Sequence, residues 1–148
     1  MISKLLIAWA LVALTVAAHA GGLASLMRWL MRTPGALPST FWPMARLLVR
    51  VTSILIVIHL GEIAIWAFFF VGVGSLPDLE SALYFSGTTY ATVGYGDVVL
   101  SDDWRMFGPV EGLVGILMCG LSTGFFFAVV NKLISAQTGT RPAAGAGE

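Results

Sequence analysis

Thr89-Tyr90-Ala91-Thr92-Val93-Gly94-Tyr95-Gly96-Asp97 is the stretch that decides how the chain folds. Its two glycines stand at alternate positions, 94 and 96. Glycine takes positive φ without a Cβ clash. A short extended run with glycine at every second residue can therefore aim successive carbonyls to one side. Four such runs around an axis would stack rings of carbonyl oxygen, with the Thr92 hydroxyl adding the innermost ring. A stack of that kind replaces the water that a cation loses on entering a narrow passage.

Outward from this run the chain is apolar in pieces of two lengths. Residues 79–91 are moderately apolar. They are too few to cross a bilayer, which takes roughly 20 residues, and too apolar for an exposed loop. A re-entrant helix fits them, and such backbone is tolerated at membrane depth only where protein buries it or water lines it. Three longer runs can span: 5–26, 49–71 with Arg50, His59 and Glu62 inside, and 109–134 with Glu111, Gly112, Gly115, Gly120 and Gly124.

Composition agrees. Hydrophobic residues make up 57% of the 148 and charged residues 11%, against roughly 25% charged in a soluble domain. The chain lacks the polar surface of a water-facing globule and reads as an all-α membrane protein. No basic patch suits nucleic acid, and no nucleophile–base pair or phosphate loop supports an enzyme. No cofactor is implied. Cys119, alone in an apolar run, reads as a small packing residue.

The charges give an orientation. Arg28, Arg32 and Arg46 lie between the first two spans with Arg50 at the start of the second, and Lys132 and Arg141 mark the end of the third. The positive-inside rule puts both regions in the cytoplasm. The N-terminus then lies outside, the C-terminus is cytoplasmic, and the re-entrant segment enters from outside. A rival stays open: Lys4, the apolar run to Ala18 and Ala18-His19-Ala20 imitate a cleaved signal peptide, which would invert the pore.

With Thr89, Thr92, Gly94, Tyr95, Gly96 and Asp97 filling a T-x-x-T-x-G-Y-G-D pattern between two spans, the segment resembles the pore loop of the potassium-channel superfamily. Within it the chain is most similar to short bacterial channels that add one helix before a two-helix pore unit. The resemblance covers about residues 46–134. It implies a homotetramer in the plasma (inner) membrane, bound by lipid, with K+ as permeant ion. It implies K+ sites at Thr92, Val93, Gly94 and Tyr95 in a selectivity filter of residues 92–96. Residues 1–32 are then an N-terminal transmembrane helix, 33–45 a Pro-rich cytoplasmic linker and 46–136 the pore domain. That domain comprises outer helix 49–71, pore helix 78–91, the filter and inner helix 109–134, before a short cytoplasmic tail, 137–148. A non-selective cation channel, a pore-loop transporter and a non-conducting subunit are the rivals.

Several residues are expected to support the filter. Ser75 or Asp78 can cap the pore helix, and Tyr84 and Tyr90 can pack behind the filter. In the family an aromatic matching Tyr84 often bonds the acid matching Asp97. The familiar glutamate of the pore helix is Thr88 here, and Glu111 could replace it by bonding Thr88 or Thr89. The family bends its inner helix at a mid-helix glycine, matching Gly115 or Gly120, with Gly120 slightly favoured. Phe125, Phe126 and Phe127 lie beyond as a candidate apolar gate, or as lipid packing.

Ionisable residues within spans suggest function by default. His59 and Glu62, three apart, share a helix face, and His19 in the first span can meet them. A structural hydrogen bond, a pH sensor and a metal site are all open readings of that group. No helix carries arginines at every third position, so a voltage sensor is not expected. No soluble regulatory domain is expected either, which leaves a leak-like or locally gated channel.

Overall fold

The structure, a computed structural model, describes residues 2–32 and 40–139. Four helices follow in order: α1 (Ile2–Arg32), α2 (Phe41–Gly72), α3 (Leu79–Tyr90) and α4 (Phe107–Gly139). No strand is present among the described residues. Three of the helices, α1, α2 and α4, are long and apolar enough to cross a membrane. At 31–33 residues each and about 1.5 Å per residue, they exceed a hydrocarbon core of roughly 30 Å. The chain is an all-α, multi-pass membrane protein.

Helix boundaries differ from the sequence reading where proline is involved. Residues up to 45 were expected to be linker, yet α2 begins at Phe41, with Thr40 as its N-cap residue. Pro43 is the third helical residue. The first N–H groups of a helix have no intrahelical acceptor, so a proline there removes nothing the helix uses. Pro109 occupies the same place in α4, which starts at Phe107 and runs to Gly139, beyond the expected 109–134. The rest of the expected linker, 33–39, and of the tail, 140–148 with Arg141, lie outside the described residues.

α1 and α2 pack antiparallel in a regular register. Leu26 meets Val51 and Leu55, His19 meets Glu62 at 2.7 Å, and Thr15 accepts the Trp66 indole N–H at 3.0 Å. At the end where α1 begins, Lys4 reaches the Asp103 carbonyl at 2.6 Å and its carboxylate at 3.0 Å. The same ammonium lies over the Trp104 ring. The first span therefore docks on α2 and α4 of its own chain, its start beside the segment that follows residue 97.

α3 is wedged between α2 and α4. An aromatic cluster holds it there: Phe70 meets Phe85 edge-on, and Phe69 stacks on Phe107 with Trp104 against both. Such pairs are worth about 0.5–1.5 kcal/mol each beyond the area they bury. Around this core the outward faces stay apolar, with Leu5, Trp9, Val57, Leu60, Leu113, Leu117 and Leu121 exposed. A surface of that kind needs lipid or neighbouring chains.

Candidate functional site

The site is built on the two ends of α3. At its start, Asp78 is the N-cap and accepts the Ser81 N–H at 2.8 Å and the Ser81 hydroxyl at 3.0 Å. Those two bonds hold its carboxyl below the usual carboxylate range. At its end, the Thr92 N–H donates to the Thr89 carbonyl at 2.9 Å and the Val93 N–H to the Thr88 carbonyl at 2.8 Å. This pair of bonds is a Schellman motif, in which the residue after the cap turns left-handed. Glycine is usual there. Here the residue is Thr92, at φ 60°, and a β-branched residue in that region is strained by roughly 1–2 kcal/mol.

Beyond it Gly94 has φ 53° and Gly96 φ 78°. Positive φ thus recurs at 92, 94 and 96, with 93 and 95 outside that region. The sequence explains the two glycines but not Thr92, whose conformation follows from the helix end. Residues 91–97 are all exposed on the single chain, with Val93 at 51% and Tyr95 at 71%. The backbone is set, but nothing in the same chain covers it.

One clasp crosses to the far end of this run. The Tyr84 hydroxyl donates to Asp97 Oδ2 at 2.7 Å. That bond lowers the Asp97 carboxyl below its ordinary range and raises the Tyr84 phenol. The Asp97 carboxylate also accepts the Val98 N–H at 3.1 Å.

Behind α3 lies a buried polar cluster drawn from four helices. Glu62 and His19 are each 1% exposed. One Glu62 oxygen bonds His19 Nδ1, and the other takes a short hydrogen bond from the Tyr90 hydroxyl. His59 Nδ1 bonds the Tyr90 hydroxyl at 2.9 Å, and His59 Nε2 bonds Ser122 Oγ at 3.0 Å. His59 and Glu62 also approach directly, at 3.4 Å. The cluster ties α1, α2 and α4 to the last residue of α3. The sequence reading had Tyr90 only as packing and did not single out Ser122. The available signal was that Glu62, buried at membrane depth, requires donors, and few side chains at that depth can donate.

Other expectations change. Glu111 is fully buried on α4, where its carboxyl sits beside the Ser86 hydroxyl of α3. The expected bond to Thr88 or Thr89 is absent, because the Thr88 hydroxyl is spent on the Tyr84 and Phe85 carbonyls. Phe125 and Phe126 pack against Leu26, Val51 and Leu55, on the side of α4 facing α1 and α2. They are thereby withdrawn from an apolar gate, and only Phe127 of the three is exposed. Gly115 has a packing reason: a Cβ there would overlap the Tyr90 carbonyl. Gly120 meets nothing within 4 Å, and α4 runs unbroken through both glycines.

No curated protein and no solved structure matches the chain. A family does: residues 51–132, more than half of the chain, match the family described as ion channel. That span begins inside α2, contains all of α3 and residues 92–96, and ends in α4. The chain is a membrane protein that belongs to the ion channel family.

Proposed function

We propose that this chain is one subunit of a homotetrameric, potassium-selective channel, with residues 92–96 as its filter. The observation that carries the reading is the backbone of that run. Positive φ at 92, 94 and 96 is a two-residue period, the pattern that turns successive carbonyls to one side. Non-helical backbone at membrane depth must be buried by protein or line water. Exposed as it is on one chain, this run needs copies of itself around an axis. Carbonyl rings then take over the hydration shell of K+, with ligands from Thr92, Val93, Gly94 and Tyr95, while Tyr84 and Asp97 hold the outer end.

Orientation follows the charges. Arg28, Arg32, Arg46, Arg50 and Lys132 gather at the helix ends remote from residues 92–96. That side is cytoplasmic by the positive-inside rule, so the N-terminus is outside in the plasma (inner) membrane. α1 is retained, because cleavage after Ala20 would strip His19 and Thr15 from their bonds to α2. Conduction is leak-like or locally gated, with Gly120 as the candidate hinge.

The test is a reversal potential in planar bilayers or liposomes under opposed K+ and Na+ gradients, with Gly94→Asp as control. Reversal near the K+ equilibrium value, lost in the variant, is expected. Weak discrimination would replace this reading with a non-selective cation channel. A verified tetramer without current at any pH or voltage would point to a non-conducting subunit.

A further inference from the structure

We propose that His19, His59 and Glu62 form a binding site for one divalent transition-metal ion, Zn2+ in its chemistry, inside the membrane and behind the end of α3. One ligand atom from each lies within 4.8 Å of the others. Glu62 faces His19 Nδ1 at 2.7 Å and His59 Nδ1 at 3.4 Å. In a tetrahedral zinc site with bonds of about 2.0 Å, donors stand about 3.3 Å apart, so small side-chain movements suffice. Two imidazoles and one carboxylate are a donor set that zinc takes.

The surroundings fit the chemistry as well. A ligating imidazole commonly bonds a second group through its other nitrogen, which fixes the ring. His59 has that partner: with Nδ1 on the metal, its proton moves to Nε2 and donates to Ser122 Oγ, already at 3.0 Å. The Tyr90 hydroxyl is bonded to both Glu62 and His59, so it borders the site. His19 Nε2 is buried without a hydrogen-bond partner among the described residues. With Nδ1 on the metal that nitrogen carries the ring proton, so the second bond that His59 has through Ser122 is missing at His19. Access is past His59, whose side chain alone of the three is partly open.

Occupancy has a consequence for α3. A metal on His59 Nδ1 and on Glu62 Oε2, the carboxylate oxygen nearest to it, takes both of the atoms that Tyr90 bonds. Tyr90 is the last residue of α3, with strained Thr92 two residues further on. Binding therefore loosens the back of the helix end and lowers flux. This regulatory arm rests on the channel reading; the site itself does not.

The experiment is a Co2+ titration of the purified full-length protein in detergent, followed by visible absorption, for the wild type, His19→Gln and Glu62→Gln. Helical content is checked by circular dichroism. One Co2+ per chain with the intense bands of four-coordinate cobalt, displaced by Zn2+, is expected. Each variant should bind at least about tenfold more weakly. Glu62→Gln keeps an acceptor for Tyr90, so it separates loss of a ligand from loss of fold. Absent bands, or bands equal in wild type and both folded variants, would overturn the site. In liposomes Zn2+ should slow K+ flux in the wild type and not in His19→Gln. Cobalt binding with zinc-insensitive flux would leave the site and overturn its coupling to Tyr90.

Discussion

The two sides of α3's C-terminal end are built on opposite terms. In front, residues 92–96 are exposed, held by backbone bonds and strained at Thr92. Behind, Glu62, His19 and Tyr90 are packed away from water, with His59 partly open beside them, and the four are joined by hydrogen bonds within one chain. The back is covered within the chain and the front is not. In the proposed tetramer each chain would shape its own share of an axial site and leave closure to the other copies, provided the helix carrying that share is fixed from behind.

The comparison breaks most readily at Glu62. Glu62→Ala removes the acceptor of two buried donors, Tyr90 Oη–H and His19 Nδ1–H. Each unsatisfied group costs about 1–3 kcal/mol, so a total loss of about 3 kcal/mol is expected in thermal melting of the detergent-solubilised protein. Glu62→Gln should recover most of it. If Glu62→Ala melts like wild type, the back of α3 is held by its apolar contacts and the contrast fails.

Gly115→Ala attacks the same support sterically. The added methyl group meets the Tyr90 carbonyl, a backbone atom that cannot rotate aside. Overpacking of this sort costs about 1–3 kcal/mol. Gly120→Ala, with open space around it, should leave the single-subunit fold unchanged. Reduced melting temperature in the first and not the second is the expected pattern. Equal losses would mean that Gly120 is covered in the assembly.

These two sites mark how far the sequence could be read. Three spans, a short inserted helix and the 94 and 96 glycines were legible because length, hydropathy and glycine spacing are local properties. The family match adds the ion-channel assignment on residues 51–132. What was not legible depends on how helices meet. Gly115 and Gly120 are alike in sequence and differ only in what stands opposite them. Phe125 and Phe126 turned inward because α1 packs on that side of α4, and no residue near them announces it. Glu111 is in the reach expected of it, yet Thr88 had already given its hydroxyl to its own helix. Thr92 is the subtlest case, since its left-handed backbone belongs to the helix end and not to threonine.

Thr92→Gly sharpens the contrast from the front. Glycine fits φ 60° without strain, so the fold should gain up to about 1 kcal/mol in melting experiments. The same change deletes the hydroxyl proposed as the innermost K+ ligand, so discrimination between K+ and Na+ should fall. A variant both more stable and less selective would show strain retained for function. Unchanged selectivity would remove Thr92 from the proposed ligand set.

The smallest effect belongs to the Tyr84–Asp97 clasp, which is exposed on the single chain. Asp97 has its carboxyl lowered in the fold by the Tyr84 hydroxyl. A lowered carboxyl stabilises above its unfolded value, about 4, and that contribution is lost as pH falls through the folded value. The Tyr84 phenol is raised by the same bond, so deprotonation breaks the clasp only above about 10. Between those limits the clasp is constant. Acidifying the filter side below about pH 4 should therefore destabilise conduction in the wild type. Tyr84→Phe should start weaker at neutral pH and lose little more on acidification, since its Asp97 no longer has that bond to give up. Single-channel open times against pH, wild type beside Tyr84→Phe, measure the difference. Parallel acid profiles would assign the acid response to another carboxyl and leave the outer end of residues 92–96 held by the assembly alone.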